Sequence, residues 1–238
     1  MQYEPDSKLM RDTVMLLEAI GNSLPMAVGI ALSPLPVASV IILLMTPQAR
    51  TNAPTFLVGW ITGILAVGCV VFILPGIETT RGNPTPLSGL LRIILGIFLL
   101  ALTWKQWKKR PRPNEPVTVP KLLARLDHIG TGHSLAMGFL FTAINPKNLV
   151  LTAAGAATID SSMLAPKSQI IALFVFTTIA SLSVALPLAA YYLARQSVEG
   201  TFARWKDWLI ENNVTVLIVL LLVFGTLLIG RGMKIFAT

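Results

Sequence analysis

From His133 to Ile159 the chain reads HSLAMGFLFTAINPKNLVLTAAGAATI, an apolar run broken near its middle by Asn145-Pro146-Lys147. The run is long enough to cross the ~30 Å hydrocarbon layer of a bilayer as a helix. In lipid every backbone N–H and C=O must be paired within the segment, so a helix is the expected form. Pro146 removes a donor and crowds the turn before it, and the groups it frees are tolerable only where the break faces protein or a polar cavity. Lys147 stands beside that break near the centre of the span, where a charge carries a penalty of at least ~2.5–3.5 kcal/mol on insertion scales. Such a lysine either bears a ligand or caps carbonyls of the broken helix.

The rest of the chain has the same character. Its 238 residues are 54% apolar and only 13% charged, with a mean hydropathy of +0.71. A soluble domain carries roughly a quarter charged residues, so this inventory cannot build a water-facing surface. Period-2 alternation, the mark of a membrane β-barrel, is absent. The sequence predicts an all-α membrane protein of six transmembrane helices, at about 14–46, 55–76, 86–107, 133–159, 168–194 and 209–233. The first span, like the fourth, is interrupted by proline, here at Ser33-Pro34-Leu35-Pro36.

A shift of 112 residues lays Pro34 on Pro146 and Pro75 on Pro187. With three spans per half the two halves must be inverted relative to each other, an architecture that recurs in transporters. The expected organisation is a first three-helix repeat at 1–110, a basic connection at 111–132 and a second three-helix repeat at 133–238. Eleven loop cations fall on one side, seven of them between Lys105 and Arg125, against six on the other. The positive-inside rule makes the first side cytoplasmic and both termini external. It also accounts for the net charge of +8 without a nucleic-acid partner. Trp104, Trp107, Trp205 and Trp208 fall at span ends on the cytoplasmic side, as an interfacial aromatic belt does. Lys121–Asp127 has helical apolar spacing and either lies on the membrane surface or packs beneath the bundle. Gly59 and Gly63 form a small-residue pair, suited to packing within the chain or to the seam of a homo-oligomer.

Functional expectations turn on the two breaks. Ser33 and Asn145 supply polar groups there, and half-helix ends present partial charges able to hold ligand atoms. The eleven acidic residues all fall in loops, termini or span ends, so Lys147 has no counterion in the membrane. An unpaired cation in a low-dielectric cavity attracts an anion or loses its proton, so the expected ligand group is sulfate, phosphate or carboxylate. The candidate binding residues are Ser33, Pro34, Pro36, Asn145, Pro146, Lys147 and Asn148, with Asn22, Ser23 and Thr142 as outlying members. Arg92, a turn into the third span, either snorkels to headgroups or guards the outer exit. No metal or cofactor is expected, since Cys69, His128 and His133 form no ligand cluster. Nor is an enzyme, for want of a membrane-embedded acid–base or nucleophilic constellation.

Ser33-Pro34-Leu35-Pro36-Val37 and Asn145-Pro146-Lys147-Asn148-Leu149 carry a resemblance over nearly the whole chain. So do Gly29-Ile30-Ala31-Leu32, Thr46-Pro47-Gln48-Ala49-Arg50 and Phe56-Leu57-Val58-Gly59-Trp60. The sequence resembles the mycobacterial-type addressing proteins for glycopeptidolipid and sulfolipid, a branch of the lysine-exporter superfamily. The resemblance implies a six-helix bacterial inner-membrane protein that supports movement of an envelope glycolipid toward the surface, alongside a large lipid-exporting transporter. Amino-acid exporters of that superfamily carry a Gly-Pro type of first motif, from which Ser33-Pro34 departs. The leading expectation is a flippase-like carrier of an anionic envelope glycolipid among membrane lipids. Its rivals are a non-transporting accessory docked through the basic 105–125 loop and an exporter of a small amino acid or anionic metabolite.

Overall fold

A computed structural model of the chain describes residues 5–73, 79–80, 83–108, 110, 129–162 and 164–237. Most of the basic connection, including Lys121–Asp127 and His128, lies outside these residues, as does Pro75. In chain order the helices are α1 (Pro5–Ala31), α2 (Pro34–Leu44), α3 (Ala49–Ile73), α4 (Pro86–Lys108), α5 (Thr131–Ala143), α6 (Pro146–Asp160), α7 (Pro166–Ala194) and α8 (Gly200–Phe236). Thr79–Thr80 and Asn83–Pro84 pair as two short antiparallel strands between α3 and α4. Proline sets most helix starts, because the N–H it lacks has no intrahelical partner in a first turn. α7 and α8 form one helical run, Pro166–Phe236, divided by the non-helical backbone of Ala194 (φ −145°, ψ 42°).

Among the described residues five helices are long and apolar enough to cross a membrane: Met10–Ala31 of α1, and α3, α4, α7 and α8. The expected first span resolves into α1 and the shorter apolar α2. The expected fourth resolves into α5 and α6, of 13 and 15 residues, which meet end to end. Large apolar side chains face outward along the bundle, among them Val58, Ile97, Phe174, Leu193 and Leu222. A soluble protein does not present so much contiguous apolar surface. The chain is a multi-pass membrane protein. Its interior is closed by Met26, Ile41, Phe56, Trp60, Leu151 and Phe176, all fully buried.

Two seams of close backbone contact hold the helices. A Cβ on Gly96 would stand 2.7 Å from the carbonyl of Gly225, and one on Gly232 would stand 2.6 Å from that of Gly89, so α4 and α8 pack backbone to backbone. On α3, Gly59 faces the Leu135 carbonyl and Gly63 faces Thr142. This small-residue pair therefore packs against α5 within the chain. The same α3–α5 seam is fixed at one end by Asn52, whose Nδ2 donates to Ile129 O (2.8 Å) while its own carbonyl accepts from Ser134 Oγ (2.6 Å).

Candidate ligand site at two helix breaks

The breaks free particular carbonyls. In an unbroken helix the Gly29 carbonyl would accept from the Ser33 N–H. That N–H instead reaches Ile30 O (3.1 Å), whose own helical donor is the N–H that Pro34 lacks, so Gly29 O is left bare. Lys147 takes it: its Nζ donates to Gly29 O at 2.6 Å. At the second break the Asn145 N–H turns to Leu140 O (3.2 Å), which frees the Phe141 carbonyl. Asn148 takes that one, donating from Nδ2 at 2.8 Å. Its Oδ1 in turn accepts from Ser33 Oγ at 2.9 Å.

Each break is thus capped by the first turn of α6, and Ser33 ties the two together. Gly29 and Phe141 stand at the same 112-residue offset as Pro34 and Pro146. The caps, however, come from one half only. At that offset Lys147 and Asn148 correspond to Leu35 and Pro36, whose side chains have no donor. Both breaks share a backbone form as well: an extended residue, Ser33 (ψ 111°) or Asn145 (ψ 118°), followed by proline at the first helical position. Asn145 caps its own helix, its side chain accepting from the Lys147 N–H at 3.1 Å. Ser33 makes no such cap; its hydroxyl donates to Asn148.

One cleft of about 200 Å³ joins these residues. Ser33, Pro34, Leu35 and Pro36 line it from the first break, and Asn145, Pro146 and Lys147 from the second. α4 contributes Leu102 and Gln106, and α8 contributes Asn213, Leu217 and Leu221. Two helix N-termini, those of α2 and α6, therefore meet the cleft together with an ammonium. Helix N-termini carry partial positive charge and attract anions. Lys147 is only 3% exposed, and among the described residues no carboxylate pairs with it. Gly29 O occupies one of its three donors, which leaves two for a ligand.

Six of the residues expected at the site line this cleft: Ser33, Pro34, Pro36, Asn145, Pro146 and Lys147. Asn148 does not. It is fully buried behind the wall, where its amide is used in the clamp. Arg92 also lies apart, ten or more residues from Leu102 and Gln106 along α4, which at the helical rise is some ~15–20 Å. Of the outlying candidates, Ser23 bonds back to Ile20 O, Thr142 to Trp60 O and Phe139 O, and the Asn22 carbonyl accepts from Arg231. Sequence reasoning missed Gln106 and Asn213, which sit near span ends beside tryptophans and read there as interfacial residues.

A buried lysine at the junction of interrupted apolar helices lines a cleft in a multi-pass α-helical membrane protein. The chain belongs to the family described as Sap, sulfolipid-1-addressing protein, whose model matches residues 24–234. No curated protein and no solved structure matches it.

Proposed function

We propose that the chain is a carrier, not an enzyme, that moves an anionic envelope glycolipid across the bacterial inner membrane. The observation that supports this best is the cleft itself. It combines a buried ammonium with no carboxylate partner among the described residues, two helix N-termini and a wall of leucines on α4 and α8. The family's description names a sulfolipid, and a sulfur-acid headgroup would be a permanent anion that such a cation suits. At about 200 Å³ the cleft is smaller than the ~300–1,000 Å³ sites that enclose drug-sized ligands. It suits a headgroup whose chains remain in the bilayer better than a metabolite engulfed whole. Along α8 the lining passes from Asn213 to Leu217 and Leu221, polar to apolar, as a lipid does from headgroup to chain.

In this reading α1 with α2, and α5 with α6, each make one span, which gives six spans in two inverted repeats of the lysine-exporter type. The matching form of the two breaks supports it. Both termini face outward, and the Trp-bearing end of α4 faces the cytoplasm. Arrival of an anion at Lys147 weakens its bond to Gly29 O, so that loading the site loosens α1 from α6 and lets the halves rock.

Proteoliposomes test the proposal. The purified chain should move a fluorescent sulfated glycolipid between leaflets, and Lys147→Met should abolish that movement. No movement by the wild type, with co-purification of a large exporter through the 105–125 loop, would overturn the carrier in favour of the accessory reading.

A further inference from the structure

The α4 and α8 walls of the cleft each present one amide: Gln106 in the last turn of α4, and Asn213 in α8. Both are half-buried, and among the described residues neither has a hydrogen-bond partner. Their neighbour Asn212 shows the contrast, since its amide bonds back to Trp208 O at 2.9 Å. Each is half-buried and so open to a ligand in the cleft, and each offers two donors and one acceptor. Leu102 lies one turn from Gln106, and Leu217 and Leu221 lie one and two turns from Asn213. The two amides therefore stand at the ends of the apolar wall, on a cleft whose cation is Lys147.

We propose that Gln106 and Asn213 bind the hydroxyls of a sugar placed between the anionic group and the hydrocarbon chain. The site thereby distinguishes a sulfated glycolipid from a simple anionic amphiphile. Hydroxyls both donate and accept, as carboxamides do, whereas a bare alkyl sulfate offers acceptors only at its charged end. This rests on Lys147 binding the anion, and the experiment separates the two claims.

The purified chain in phosphatidylcholine nanodiscs is titrated calorimetrically with octyl glucoside 6-sulfate and with octyl sulfate. Wild type should bind the sulfated glucoside more tightly. Gln106→Leu and Asn213→Leu should each weaken it by roughly two- to tenfold, the worth of one hydrogen bond, and leave octyl sulfate unchanged. Lys147→Met should weaken both probes. Equal wild-type affinity for the two probes, or equal weakening of both by the leucine variants, would overturn the role given to the amides. Octyl sulfate binding untouched by Lys147→Met would instead overturn the anion reading beneath it. Gln106→Glu keeps the side chain's shape and guards against misfolding: a carboxylate there should weaken both sulfated probes, and unchanged affinity would remove Gln106 from the site.

Discussion

A lysine ammonium enclosed by protein and bonded to one backbone carbonyl can be a cap or a ligand group, and energetics separate these roles. Replacing Lys147 by Met loses a charge-assisted hydrogen bond worth roughly 1.5–3 kcal/mol. It also removes the desolvation penalty of a buried ion, several kcal/mol. The expected outcome is a variant that has lost ligand binding while its thermal unfolding midpoint in detergent is unchanged or raised. A fall of more than about 10 °C, which for a chain of this size is roughly 3 kcal/mol, would make the cap its principal role. Asn148 should behave oppositely. Asn148→Leu leaves Ser33 Oγ and Phe141 O buried without partners, at about 1–3 kcal/mol each, so its midpoint should drop clearly. At this scale the sequence was informative. A lysine next to proline in an apolar run, with every acid placed elsewhere, marks itself by its cost alone. Asn148 was drawn toward the ligand because nothing local says that its amide is consumed by Phe141 and Ser33.

At the scale of elements, proline wrote most of the boundaries. α2, α4, α6 and α7 open at Pro34, Pro86, Pro146 and Pro166, and the two interruptions fall where a missing N–H predicts them. Helix pairing was less legible. The Gly96–Gly225 and Gly59–Leu135 approaches bring together residues far apart in sequence, and small-residue pairs do not name their partners. Gln106 and Asn213 went unnoticed for the same reason, since they share a cleft only once α4 and α8 have docked. The seam makes its own prediction. Gly225→Leu forces a side chain against Leu100 and the Gly96 carbonyl and should destabilise the chain by about 1–3 kcal/mol or more. Gly230→Leu on the same helix meets nothing within 4 Å and should stay within about 0.5 kcal/mol. Thermal unfolding of the two variants side by side decides it, and equal losses would refute the seam.

For the molecule as a whole, hydropathy alone carried the membrane reading, because apolar runs leave no other place for such a surface. Trp104, Trp107, Trp205 and Trp208 are all exposed, and Lys108 and Arg110 lie over the Trp104 and Trp107 rings at 5.1 and 4.0 Å. In bilayers, quenchers placed near the headgroups should dim these four tryptophans more than quenchers at chain ends, while buried Trp60 stays bright. Preferential quenching from the chain ends would contradict the aromatic belt. The match between the two breaks was legible only as a spacing of prolines. Its asymmetry was not, because Leu35 and Pro36 reveal their missing function only against Lys147 and Asn148 in space.

The reciprocal capping of the two breaks binds their histories together. A relative that loses the amide at position 148 leaves the serine hydroxyl at 33 and the carbonyl at 141 stranded, and one that regains a backbone N–H at 34 no longer needs the lysine as a cap. Substitutions at 29–34 and at 141–148 should therefore travel as a set among descendants of this chain, with an uninterrupted first helix found where the residue at 147 is no longer basic.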